Sequence, residues 1–272
     1  MPYADRNGTQ LFYTDEGTGD PALLFVHGWC CDTSYWKPQV RAFRRRHRVV
    51  AVDLRGHGRS GKPEQDYTMD AFASDLEWLM GQVDLRRPVV IGHSMGGVIA
   101  LRLAGRRKRA ISGAVIVDSP IFPKFDRTGR QQLSQIFAAL ESPVFHVAAR
   151  QVIEGNLFIP TSPPALRERI TSAMLRTPQH VMTSAFRNLW VDNKALGRRV
   201  NAPSLFIDAT HPLEELERIE RAVNGIQIGR TVGAGHFNML EAPDQFNAML
   251  RAFLDRLRPI GAGLQTRARK AK

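Results

Sequence analysis

Cysteine is nearly absent: the 272 residues contain two, Cys30 and Cys31, side by side. Adjacent cysteines make a strained, rarely used disulfide, so both read as free thiols, and their spacing is not that of a zinc site. Long apolar runs are missing too. The longest, Ala22 to Val26 and Pro88 to Ile91, fall far short of the roughly 18 to 20 residues that cross a bilayer, so no transmembrane helix is predicted. The first residues, Met1-Pro2-Tyr3-Ala4-Asp5-Arg6, lack the basic-then-apolar pattern of an export signal, and a cytoplasmic location is the expectation.

Acidic residues are in the minority, 26 against 38 Lys and Arg, for a net charge of +12. The basic residues cluster at Arg44-Arg45-Arg46, at Arg106-Arg107-Lys108-Arg109 and from Arg267 to Lys272. The aromatics that would stack on bases are absent from these runs, which argues against a nucleic-acid partner. The first two runs fall where helices should end, and cations there oppose the negative end of the helix dipole.

What the chain has is alternation. Thr9 to Glu16 reads as an edge strand. Short apolar runs at Ala22 to Val26, Arg48 to Leu54, Pro88 to Gly92 and Gly113 to Val117 read as buried strands. Helical stretches separate them, among them Ser34 to Arg44, Met69 to Gly81 and Gly97 to Ala104. Phe72, Leu76, Leu79 and Met80 form the apolar face of the second helix. Such alternation predicts an α/β fold with a mostly parallel central sheet covered by helices on both faces, and ligands bind beyond the C-terminal ends of its strands. From Ser119 to about Lys194 the alternation stops. This Pro-punctuated, helical segment is expected to be a cap inserted over the sheet. The sheet resumes at Pro203 to Asp208 and Gln227 to Val232, and a helix over Ala242 to Leu257 closes the chain. The expected division is a core of 1–118 and 195–258, a cap of 119–194, and a basic mobile tail of 259–272.

The chemistry concentrates at Val89-Val90-Ile91-Gly92-His93-Ser94-Met95-Gly96-Gly97-Val98, a strand running through G-x-S-x-G into a helix. A serine on such a turn is held strained with its hydroxyl above the sheet, and the flanking glycines remove side chains that would clash. Ser94 is therefore the candidate nucleophile. His236, in the Gly-rich loop Gly233-Ala234-Gly235-His236 after the last strand, is the candidate general base, coming last in chain order as this arrangement requires. His47, His57, His146, His180 and His211 occupy loop, helical or surface-like segments, where a lone histidine is more often structural.

Four segments together resemble the α/β-hydrolase family, in particular its small bacterial esterases and cofactor-free haloperoxidases. They are Phe25-Val26-His27-Gly28-Trp29, Asp53-Leu54-Arg55-Gly56-His57-Gly58-Arg59-Ser60, Gly92-His93-Ser94-Met95-Gly96-Gly97 and Gly233-Ala234-Gly235-His236-Phe237. The resemblance covers about residues 8 to 257. It implies the α/β-hydrolase fold with an inserted helical cap and a nucleophile–base–acid triad. It also implies an oxyanion hole built from the backbone N–H groups of Trp29 and Met95. His27 and His93 resemble residues that the family uses to shape loops. No metal or organic cofactor is implied.

The acid departs from the common pattern. In most relatives it follows the strand here ending at Asp208, but this chain has Ala209-Thr210-His211-Pro212 there, with proline where the aspartate should stand. Some relatives instead place it after the strand preceding the cap, where Ile116-Val117-Asp118-Ser119-Pro120 supplies Asp118. Asp118 is the expected acid, with Asp208, Glu214 and Glu215 as alternatives. Phe122, Phe125, Phe145 and Trp190, together with Phe137 and Phe158, are expected cap aromatics lining an apolar acyl pocket. The expected activity is cleavage of a small-molecule ester or lactone, acyl homoserine lactones included, through an acyl-enzyme. Alternatives are a cofactor-free haloperoxidase or perhydrolase and a non-catalytic binding protein on the same scaffold; an intact Ser94 and His236 argue against the last.

Overall fold

The computed structural model describes residues 2–106, 110–210 and 215–257. The acid candidate Glu214 and the tail expected at 259–272 lie outside the described residues. The strands are β1 (Tyr3–Arg6), β2 (Thr9–Glu16), β3 (Leu23–Val26), β4 (Val49–Val52), β5 (Val89–His93), β6 (Gly113–Val117), β7 (Ser204–Asp208) and β8 (Gln227–Arg230). They form one sheet in the order β1-β2-β4-β3-β5-β6-β7-β8. β1 and β2 pair antiparallel, as do β2 and β4; from β4 to β8 every pairing is parallel. Strands β3 to β7 are buried along their whole length, because helices cover both faces.

β2 is not the edge strand that its alternation suggested. Tyr3 to Arg6 folds back on it through Asn7-Gly8, whose φ angles of 52° and 80° make the mirror-image turn that suits a two-residue hairpin. The Asn-Gly pair was the available signal. Arg6 then reaches Asp75 at 2.6 Å, and Arg55 reaches the same carboxylate at 2.6 Å, which pins the hairpin onto the helix below.

On the two faces of the sheet lie α1 (Lys37–Phe43), α2 (Met69–Gln82) and α3 (Met95–Arg106). The apolar face of α2 is buried as its spacing requires, and the Thr68 hydroxyl caps its first turn by accepting from the Ala71 N–H at 3.1 Å. Between β6 and β7 come five helices: α4 (Arg127–Glu141), α5 (Phe145–Asn156), α6 (Pro164–Met174), α7 (Gln179–Leu189) and α8 (Lys194–Gly197). Pro164 opens α6, where the missing N–H costs nothing. This insertion is tied to the rest of the fold at separate points. Trp29 Nε1 donates to the Met182 carbonyl at 2.8 Å, the Tyr67 N–H to Ser184 Oγ at 2.9 Å, and Ser162 Oγ to Glu241 Oε2 at 2.8 Å. α9 (Leu216–Ala222), α10 (Asn238–Glu241) and α11 (Pro243–Leu257) are the last helices among the described residues.

The chain runs outward from β3 to β4, then crosses back to β5 on the other side of β3. The sheet therefore reverses its winding between β3 and β5, and a crevice opens beyond the C-terminal ends of those two strands. The loop after β3 begins His27-Gly28-Trp29, and the residue after β5 is Ser94.

Candidate active site

Ser94 has φ +53°, in the left-handed region that non-glycine residues rarely occupy. Its own backbone is fastened on both sides. The Ser94 N–H donates to the Val117 carbonyl at 2.8 Å, and the Ser94 carbonyl accepts from Ser119 Oγ at 2.6 Å and from the Gly97 N–H at 2.9 Å. The turn also needs glycine on each side. A Cβ on Gly92 would collide with the Gly96 carbonyl oxygen, and one on Gly96 with the Val26 carbonyl oxygen. With both positions bare, α3 packs tightly against β5 and β3, and Ser94 projects from the seam.

His236 stands at the end of the loop after β8. Its Nδ1–H donates to Asp118 Oδ2 at 2.6 Å, and both side chains are buried. A carboxylate only accepts, so Nδ1 carries a proton in this bond and Nε2 is the ring nitrogen on the side away from Asp118. Asp118 directly follows β6 with φ +37°, and its N–H extends the β6–β7 ladder by donating to the Ile207 carbonyl at 2.9 Å. The His236 loop is held from below. His93 Nε2 donates to the His236 carbonyl at 2.8 Å, with the two rings 4.5 Å apart, and the Thr210 N–H donates to the Ala234 carbonyl at 2.9 Å. Burial, and then the neighbouring His236, hold the His93 ring well below the ordinary imidazole range, so it serves as a neutral strut. His27 does similar work on the other side: Nδ1 donates to the Gly28 carbonyl at 2.8 Å and Nε2 accepts from the Leu54 N–H at 2.9 Å.

Ser94 and His236 line one cavity of about 270 Å³, walled by the loop after β3 and by the insertion. Gly28 lies so close that a Cβ there would come within 3.2 Å of Ser94 Cβ. Trp29 and Met95 flank the same corner. Met95 is the first residue of α3, where N–H groups have no partner inside the helix. The Trp29 N–H has no acceptor among the described residues.

The alternatives for the acid separate clearly. Asp208 is buried at the end of β7, but its Oδ2 accepts from Arg230 Nε and Nη2 at 3.0 and 2.8 Å. Glu215 is exposed at the start of α9. Of the described candidates, Asp118 is the one that touches His236.

The sequence profile of the alpha/beta hydrolase family matches residues 23–249. This chain belongs to that family. It is 35% identical over 143 residues to a non-heme chloroperoxidase of Kitasatospora aureofaciens, a match that spans about half of each protein, 51% of this chain and 52% of that one. Among solved structures, the enol-lactonase of Burkholderia xenovorans superposes with a TM-score of 0.82 at 24% identity, covering 93% of this chain and 100% of that one. A thermophilic esterase of Thermogutta terrifontis gives 0.82 at 25% identity over 94% and 97%.

In this alpha/beta hydrolase the aromatic predictions divide. Phe125 and Trp190 line the cavity, edge to face with ring centres 5.3 Å apart. Phe122 and Phe145 do not belong to its lining. Phe122 is fully buried beneath, against Gly197, and its carbonyl accepts from Arg218 Nη2 at 2.8 Å. Phe145, at the first position of α5, stacks on His146 with ring centres 3.8 Å apart. Phe137 and Phe158 pack behind the wall on Phe186 and Phe237. The wall missed in the sequence is largely aliphatic: Leu133 and Ile136 from α4, Val152 from α5, Leu157 and Met174. Its polar interruptions are Gln132 and Asn156. Cys31 also reaches the cavity, whereas Cys30 is buried away from it; burial pushes both thiols up, so neither is a ready nucleophile. Among the described residues no cluster of His, Cys, Asp and Glu has the form of a metal site, and no helix is long and apolar enough to cross a membrane.

Proposed function

We propose that this alpha/beta hydrolase cleaves carboxylic esters, lactones included, by acyl transfer through Ser94. The observation that carries the reading is the 2.6 Å bond from His236 Nδ1 to buried Asp118, which leaves the base nitrogen of His236 in the cavity that Ser94 also lines. His236 Nε2 takes the Ser94 Oγ proton as Oγ bonds to the substrate carbonyl carbon. The negative oxygen of the tetrahedral intermediate accepts from the Trp29 and Met95 N–H groups, where loss of a single donor typically costs about 3 kcal/mol. The imidazolium, stabilised by Asp118, returns its proton to the leaving alcohol, or to the ring oxygen of a lactone. Water then repeats the sequence on the acyl-enzyme and frees Ser94.

The near-absence of charge in the wall, where Leu133, Ile136, Val152 and Met174 line the cavity that Ser94 also lines, supports an apolar acyl group as the part that is bound. A second reading draws on the similarity to the non-heme chloroperoxidase over half the chain. The same acyl-enzyme would be opened by hydrogen peroxide to give a peracid, with no change in the roles above.

The test is turnover of p-nitrophenyl acetate, butyrate and octanoate by wild type and Ser94→Ala, beside a lactone series and peracid formation from acetate and peroxide. Turnover that disappears in Ser94→Ala supports the proposal, and equal activity in the two proteins refutes it. The panel then ranks ester, lactone and peracid chemistry.

A further inference from the structure

The C-terminal edge of the sheet holds a second buried carboxylate that the acyl-transfer scheme leaves unused. Register pairs Val117 with Ile207, and the Asp118 N–H donates to the Ile207 carbonyl, so Asp118 and Asp208, each the next residue, stand at corresponding places beside each other at the ends of neighbouring parallel strands. Their side chains are 1% and 0% exposed. Each commits one oxygen, Asp118 Oδ2 to His236 and Asp208 Oδ2 to Arg230. Each has a second oxygen, Oδ1, that is buried and without a hydrogen-bond partner among the described residues. Arg230 is the register partner of Asp208 on β8; 45% exposed, it reaches inward from the rim to a wholly buried group.

Two uncompensated negative charges in this corner would both favour the imidazolium form of His236, which cannot accept the Ser94 proton. Arg230 cancels one of them. The Asp208 carboxyl is pushed up by burial, drawn down by its bonds to Arg230, and pushed up again by the charge of Asp118, as expected for two carboxylates that feel each other.

We infer that Asp208 and Arg230 are a positioning pair for the proposed reaction: a neutralised carboxylate that sets the field around the Asp118–His236 couple and so the lower pH limit at which His236 serves as base. The inference rests on the reading of Ser94, His236 and Asp118 given above. The other groups facing this couple stay constant in the test below. From β5 comes neutral His93, with buried His27 beyond it. From α10 comes Glu241, whose Oε2 accepts from the Gly235 N–H at 3.1 Å. The insertion presents only uncharged residues to the cavity.

A pair that merely ties β7 to β8 would change stability and leave pH behaviour alone. The test therefore measures the His236 ring titration by NMR in the substrate-free protein, assigned with His236→Gln, together with the acidic limb of the kcat/KM profile. Asp208→Asn removes a negative charge and is expected to move both to lower pH by about 0.5 to 1 pH unit. Arg230→Gln is expected to move both the other way, and Asp208→Asn/Arg230→Gln to return them to the wild-type position. Should Asp208→Asn not fold, Arg230→Gln, which alters a half-exposed side chain, carries the test alone. An Asp208→Asn or Arg230→Gln protein with an unmoved titration, or a double variant as displaced as Asp208→Asn, overturns the inference. Because the NMR titration needs no turnover, it is independent of the Ser94→Ala result, so the two readings fail separately.

Discussion

Ser94 and Asp118 both sit in the left-handed backbone region, at φ +53° and +37°, where an L-residue pays on the order of 1–2 kcal/mol. The cost is borne where the chemistry is proposed to occur, and the bonds that the Ser94 N–H donates to Val117 and its carbonyl accepts from Ser119 Oγ hold the turn against relaxing. Asp118 is the sharpest point at this scale. Asn in its place offers an amide where His236 Nδ1–H needs an acceptor, and the ring is then free to adopt the wrong tautomer. Asp118→Asn is expected to lower kcat on the order of 10³- to 10⁴-fold. Asp208→Asn, one strand away, is expected to lose less than about tenfold at the pH optimum, because its charge acts through space rather than by contact. Steady-state kinetics of the two variants decide, and the reverse ranking would move the acid to Asp208. Ser94 and His236 were legible in the sequence because each lies in a short local pattern. Asp118 was one of four candidates because its bond to His236 joins positions 118 residues apart.

At the scale of elements, the insertion decides what fits beside Ser94. Its helices were readable as helices, but which face of each meets the cavity depends on how they dock. That explains why Phe122 and Phe145 were expected in the wall and are elsewhere, while Leu133 and Ile136 stand there. The two α4 residues are three apart and so share a face. Ile136→Trp is expected to shorten the usable acyl pocket, cutting p-nitrophenyl octanoate turnover about tenfold or more relative to acetate, since each methylene in an apolar pocket is worth about 1–3 kcal/mol. Equal losses on both esters would show that the acyl chain lies along another wall. The hairpin of β1 and β2 teaches the converse: Asn7-Gly8 wrote that turn plainly, and the strand it adds was missed because Tyr3 to Arg6 is too short to show a period.

Over the molecule as a whole, burial lowers the affinity of His27, His57 and His93 for a proton, and these rings resist becoming charged. Burial holds His57 down to about 3 from its ordinary 6.5, and His27 and His93 are lowered for the same reason. In the unfolded chain these rings take up protons near 6.5; in the fold they resist until far lower pH. The unfolded state thus binds more protons across that interval, so stability present above about 6.5 drains away as the pH falls toward 3, by up to about 1.4 kcal/mol per pH unit for each ring. Urea midpoints are expected to fall steadily between pH 7 and 4, and a flat profile would show that these rings are not held neutral. The fold class, the parallel strands, the G-x-S-x-G turn that carries Ser94 and the Gly-rich loop that carries His236 were readable in the sequence alone, because hydrophobic period, glycine placement and turn chemistry act over a few residues. The partner of His236, the lining of the cavity and the Asp208–Arg230 pair were decided only by the tertiary structure. Each depends on which strands lie side by side and which helix faces turn inward, and those are set by packing of the whole chain rather than by any local stretch.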